Sequence, residues 1–109
     1  MPRLDFYTDF KLFVKLNLQN KDVILGRGPG CAVQLPDKRI SRRHAVIRHR
    51  KGGYWLEDQS THGTRLNASM LATPTKLEPG DRIYLGPYII IFQHDETPSE
   101  DLSSEVTAQ

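Results

Sequence analysis

The sequence predicts an all-β fold, a sandwich or a barrel of many short strands. Three observations point there. Several stretches alternate apolar and polar residues or are rich in β-branched and aromatic ones. Turn signals built on Gly, Pro, Asn and Asp recur about every eight to twelve residues. No stretch carries the 3.6-residue apolar period of a helix.

Taken in order, Phe10, Leu12, Val14, Leu16 and Leu18 alternate with mostly polar neighbours, which predicts a half-buried strand. Residues 22–26 form a second strand, stopped by Arg27-Gly28-Pro29-Gly30, whose glycines and proline read as a loop. Residues 31–35 are β-like before Pro36-Asp37 turns the chain. Residues 44–48 and 54–57 read as a hairpin around Lys51-Gly52-Gly53, with Trp55 expected to pack. Residues 58–63 are turn-like. Residues 64–66 and 69–71 are short strands around Asn67-Ala68. Residues 82–85 and 88–93 close the pattern on either side of Gly86-Pro87.

The chain has 109 residues, enough for one domain with its own core. Residues 1–94 are expected to form that domain. Residues 95–109 are expected to be an acidic Ser/Thr-containing tail or linker without a fixed fold. No apolar run approaches the ~20 residues of a membrane span, and the first residues lack the apolar stretch of a secretory signal. The single cysteine, Cys31, excludes an internal disulfide. A cytoplasmic protein is the expectation. The formal net charge of +2 hides an asymmetry: residues 21–65 hold ten basic and four acidic groups, residues 95–109 none and five. A basic middle suits an anionic partner, whether nucleic acid, phosphorylated protein or membrane surface.

Enzyme classes are excluded on spacing. Gly26-Arg27-Gly28-Pro29-Gly30 is neither a dinucleotide loop nor a P-loop, since no βαβ unit and no Gly-Lys-Ser/Thr accompany it. His44, His49, His62, His94 and Cys31 lack zinc-ligand spacing, so no metal or other cofactor is expected. Ser41 is not on a nucleophile elbow. A trio of Ser41, His44 and Asp58 is no more than any domain of this size offers.

Three loops carry more information: Gly26-Arg27, Ser41-Arg42-Arg43-His44, and Ser60-Thr61-His62-Gly63-Thr64. Each borders a strand, so a sandwich could gather them at one end. Together they offer guanidinium forks, hydroxyls and loop N–H groups, the donors a phosphate dianion requires.

These elements resemble the forkhead-associated (FHA) domain family. Gly26-Arg27 is similar to its Gly-Arg element and Ser41-Arg42-Arg43-His44 to its Ser-Arg-x-His element. Residues 58–64 are similar to its Asp-x-x-Ser-x-Asn-Gly-Thr element, and residues 77–83 with Leu85-Gly86 to its closing segment. The resemblance runs from about Ile24 to Phe92. It implies a sandwich of two sheets with about eleven strands, and a module that binds phosphothreonine peptides in kinase-dependent signalling. Arg27, Ser41, Arg42 and Thr61 would contact the phosphate. His62 would reach the peptide backbone, while Gly26, His44 and Gly63 would shape the loops. The implied partner is a phosphothreonine protein, with an upstream Ser/Thr kinase and a larger multidomain regulator around the domain. Membrane is not an expected partner.

One position departs from the family: His62 stands where Asn is usual. An amide presents donor and acceptor together, whereas neutral imidazole presents them in another geometry. A protonated His62 beside the phosphate implies tighter binding towards about pH 6. The same gain in His62→Asn would contradict that expectation.

The cluster of Arg39, Arg42, Arg43, Arg48, Arg50 and Lys51 supports a different reading, a basic β-domain that binds nucleic acid non-specifically. Aromatic residues do not interleave with these cations as a stacking surface would require, which disfavours it. A third reading is an interaction scaffold without a working phosphate pocket.

Overall fold

Residues 1–94 are described by a computed structural model, and they form eleven strands in two facing sheets. The strands are β1 (Pro2–Thr8), β2 (Lys11–Asn17), β3 (Val23–Gly26), β4 (Val33–Gln34), β5 (Ala45–Arg50) and β6 (Gly53–Asp58). They continue as β7 (Arg65–Leu66), β8 (Ser69–Met70), β9 (Thr75–Lys76), β10 (Arg82–Leu85) and β11 (Tyr88–His94). One sheet has the order β2-β1-β11-β10-β7-β8, the other β4-β3-β5-β6-β9. Among the described residues, only β3 and β4 pair in parallel. The expected tail, residues 95–109, lies outside the described residues.

Alternation explains the layers. Leu4 and Phe6 of β1, Ile83 and Leu85 of β10, and Ile90 of β11 point inward from the first sheet and are fully buried. Leu25, Ala45, Ile47 and Leu56 answer them from the second, and Leu18, Leu35 and Ile40 fill the margins. Burying a side chain of this size contributes about 1.5–3 kcal/mol.

Three parts of the sequence reading are corrected. The first strand is not at residue 10: β1 precedes it, carrying its own alternation of Leu4 and Phe6 against Arg3, Asp5 and Tyr7. Phe10 is 97% exposed and lies in the β1–β2 turn with a φ of 64°. A register shift between Phe6 and Tyr7 then leaves Leu12 exposed while Val14 and Leu16 pack on the core. A bulge changes which face each side chain takes, and the period of two cannot show it. Strand β9 was also missed, because Thr75-Lys76 follows Pro74 and carries no apolar–polar alternation. Trp55 is not a core residue: it lies opposite Arg48 and Lys76 on the outer face of the second sheet.

Register places the loops. Leu25 pairs with Ala45, and Ala45 pairs with Asp58. The end of β3, the start of β5 and the end of β6 are thus neighbours at one end of the sheet. The loops following Gly26, preceding Ala45 and following Asp58 must emerge side by side.

Candidate functional site

Backbone hydrogen bonds fasten the β3–β4 loop to the β4–β5 loop. The Arg27 N–H donates to Ser41 O at 3.0 Å and the Gly28 N–H to Arg42 O at 3.1 Å. The Arg27 side chain adds a bond from Nε to Ile40 O at 2.9 Å, which leaves its terminal guanidinium nitrogens available. The Cys31 thiol donates to Arg42 O at 3.1 Å. This closeness explains Gly26. A Cβ there would lie 2.3 Å from Arg42 O and 2.8 Å from Ser41 O, both backbone atoms that cannot swing aside.

A second set of bonds fastens the β4–β5 loop to the β6–β7 loop. His44 is 1% exposed and spans the two. Its Nδ1 accepts the Ser41 N–H at 3.0 Å, so the ring proton sits on Nε2, which donates to Gly63 O at 2.9 Å. The Thr61 N–H donates to Ser41 Oγ at 3.0 Å, and the Gln59 N–H to His44 O at 2.9 Å.

The β6–β7 loop is also braced from within. Asp58 Oδ1 accepts from Ser60 Oγ and Thr64 Oγ1, each at 2.6 Å, and from the Ser60 N–H at 3.1 Å. The Gly63 N–H donates to Ser60 Oγ at 2.6 Å. Gly63 has a φ of 98°, a backbone conformation that resists a side chain. Burial pushes the Asp58 pKa up. The Ser60 and Thr64 hydroxyls and the Ser60 N–H together outweigh that, and the carboxyl stays below its usual value.

The structure brings all eight sequence-selected residues together. Gly26 and His44 are buried in the frame, and Gly63 is half-buried. Arg27, Arg42, Thr61 and His62 are exposed and Ser41 is half-buried on the surface the frame supports. Ser41, His44 and Asp58 do not form a catalytic relay. Both His44 nitrogens are committed to backbone groups, and Asp58 faces Ser60 and Thr64. No group of three or more His, Cys, Asp or Glu among the described residues could hold a metal ion. Among the described residues, no helix is long and apolar enough to cross a membrane.

Three contributors escaped the sequence reading. Asp58 and Ser60 were visible as part of a polar segment, but their role in knitting one loop depends on where the chain returns. Cys31 carried no signal, because a thiol reaching a carbonyl eleven residues away is a product of folding.

Much of the basic segment is neutralised away from the loops. Arg48 Nε meets Glu57 Oε1 at 2.8 Å and Arg50 NH1 meets Asp22 Oδ1 at 3.0 Å, on the second sheet's outer face. The Arg48 guanidinium, helped by the Gln59 amide, holds the Glu57 carboxyl down to about 2. Arg39 does the same to Asp37, also to about 2. Of the cations on the loops, Arg27 and Arg42 have no carboxylate partner among the described residues.

A two-sheet sandwich whose rigid loops present donors at one end defines a binding module. The chain belongs to the FHA domain family, whose model matches residues 16–86. FHA domains are known as phosphothreonine-binding modules rather than enzymes. The FHA domain-containing protein FhaB of Mycolicibacterium smegmatis is 31% identical over 77 residues, covering 70% of this chain and 50% of that protein. The E3 ubiquitin-protein ligase CHFR of Danio rerio is 38% identical over 72 residues, covering 62% of this chain but 11% of that protein. Among solved structures, the FhaA FHA domain complexed with the intracellular domain of Rv3910 superposes with a TM-score of 0.76. It shares 33% identity over 85% of this chain and 100% of that one. A domain solved in a study of phosphothreonine-dependent FHA interactions gives a TM-score of 0.75 at 31% identity, covering 87% of this chain and 99% of that one.

Proposed function

We propose that this chain reads phosphothreonine in a partner protein, with the phosphate held by Arg27, Ser41, Arg42 and Thr61 and the peptide backbone beside it met by His62. One observation carries the reading: the three loops that bear these residues are joined to one another by hydrogen bonds that leave the donors facing outward. Preorganised donors need no ordering when the ligand arrives, so more of their energy appears as affinity. Each charge-assisted bond contributes about 1.5–3 kcal/mol net. Three or four of them, discounted for coupling, support micromolar capture, about −8 kcal/mol. Burying the extra methyl of threonine adds only about 0.8 kcal/mol, so selectivity over phosphoserine also requires conformational restriction.

An upstream Ser/Thr kinase, a cytoplasmic setting and a larger regulatory protein belong to the same proposal. The last is supported by length, since the chain spans half of one curated relative and 11% of the other. Domain limits at residues 1–94, with the rest as tail or linker, are part of it too. The nucleic-acid reading loses support because Arg48 and Arg50 are paired with carboxylates on a different face from the loops.

Calorimetric titration with pools of phosphothreonine, phosphoserine and unphosphorylated peptides tests the reading, with a short DNA duplex as comparison. Binding confined to the phosphothreonine pool is the expected result. No phosphopeptide binding, with salt-sensitive DNA binding instead, would refute it.

A further inference from the structure

Strand β11 is apolar on both of its faces. Tyr88, Ile90 and Phe92 are buried in the core, while Ile89 and Ile91 alternate with them and lie half-buried on the outer face of the first sheet. A near-continuous apolar run marks a strand that is covered on both sides. Among the described residues, the second sheet covers only one. Register extends the outer face: Ile89 lies between Tyr7 of β1 and Tyr84 of β10, and cross-strand partners share a face. Phe10, 97% exposed, stands at its border and lines a groove of about 240 Å³ with Tyr7, Arg82, Ile89 and Ile91. A contiguous apolar surface, unlike a single exposed residue, marks a docking site.

Charge decides what fits there. The row beside Tyr7 and Ile89 runs Lys15, Asp5, Ile91, Arg82. Asp5 is already held by Arg3, whose Nε stands 2.9 Å from Oδ1. Lys15 and Arg82 meet no carboxylate among the described residues, nor does Arg65, whose guanidinium carbon lies 5.9 Å from the Tyr84 ring centroid. The outer face of the second sheet differs, since Glu57 and Asp22 neutralise Arg48 and Arg50 there. The first face is thus apolar along its middle and cationic on its flanks. A second copy laid on it would set like charges together, whereas an acidic segment with aliphatic side chains complements it.

We propose that residues 95–109 of this chain dock on this face, with Leu102 and Val106 against Ile89, Ile91 and Phe10 and the carboxylates among Lys15, Arg82 and Arg65. The segment holds five acidic and no basic residues, and Leu102 and Val106 are its only larger aliphatic ones. It follows directly on His94, the last residue of β11, so it starts at the margin of the face it covers. Its reach is sufficient. The seven residues of β11 span about 23 Å at ~3.3 Å each, and the eight steps from His94 to Leu102 extend to about 26 Å. The tether gives the segment a high effective concentration, so a shallow contact is enough to hold it.

The test is methyl and amide NMR of the full chain, as wild type and as Leu102→Ser with Val106→Ser. Both substitutions lie outside the eleven strands and leave the sandwich untouched. The wild type should show nuclear Overhauser effects from the Leu102 and Val106 methyls to Ile89, Ile91 and the Phe10 ring. In the double variant these should vanish and the Ile89 and Ile91 methyl resonances should shift. Ile90, on the opposite face of the same strand, should not move. Ile89 and Ile91 resonances identical in the two proteins overturn the proposal. So do contacts found instead at Arg27 and Arg42, which would put the acidic segment on the phosphate loops. Shifts at Ile89 and Ile91 that follow protein concentration and ignore the double substitution would put a second copy on the face, and overturn it as well. The phosphothreonine titration is independent of all these outcomes.

Discussion

The Thr61 N–H donates to Ser41 Oγ at 3.0 Å, so one hydroxyl joins two of the loops that form the site. Because the oxygen accepts there, its own hydrogen is free to turn outward to an anion. The same atom therefore positions the third loop and supplies a donor. Ser41→Ala should weaken phosphothreonine peptide binding by at least about tenfold, the loss of one charge-assisted bond. Stability should fall by less than about 1 kcal/mol, since the exposed Thr61 N–H can bond to water. Calorimetry and amide exchange at Thr61 measure the two effects. Unchanged affinity would place the phosphate elsewhere.

Arg27 has its Nε held by Ile40 O, which aims the guanidinium while leaving its outer nitrogens for a ligand. Arg27→Ala should abolish measurable phosphopeptide binding while circular dichroism and the thermal midpoint stay close to wild type. Retained affinity in the folded variant would remove Arg27 from the site.

Gly26 answers to the backbone, not to a ligand. Gly26→Ala drives a methyl against Arg42 O and Ser41 O. Overpacking of this kind costs about 1–3 kcal/mol, and here it parts the first two loops. Urea unfolding should show that loss together with reduced binding. A fully stable Gly26→Ala domain would show that the loops can separate freely.

Asp58 makes the third loop sensitive to acid. Its folded carboxyl titrates below the ordinary 3.8. The stability it supplies is complete above the unfolded value and is lost as pH falls through the lowered folded value. Asp58→Ala also strands the buried Thr64 hydroxyl, and should cost about 1–3 kcal/mol at pH 7. In chemical unfolding the gap between wild type and variant should hold from pH 6 to about pH 4 and narrow below that. A gap that stays constant with pH would mean that the ionised form gives no advantage.

Much of this molecule was legible in the chain. Alternation in residues 82–93 and the hairpin around Lys51-Gly52 are local, and local sequence suffices for them. The three loops that carry Gly26, Arg27, Ser41, Arg42, His44, Thr61, His62 and Gly63 also stand out between apolar strands, and a role for each is what the family resemblance implies. What the sequence by itself determined was where most of the strands lie, β1 and β9 apart, and which loops carry hydroxyls and guanidinium groups. Only the tertiary structure decided how the donors are shared. The bulge after Phe6 exposes Leu12, and Glu57 and Asp22 consume Arg48 and Arg50. Arg65 keeps its charge over Tyr84 because β7 lies between β10 and β8. The physical reason is that alternation and turn chemistry act between residues close along the chain. Charge pairing acts between residues brought close in space, and strand register alone sets those neighbours.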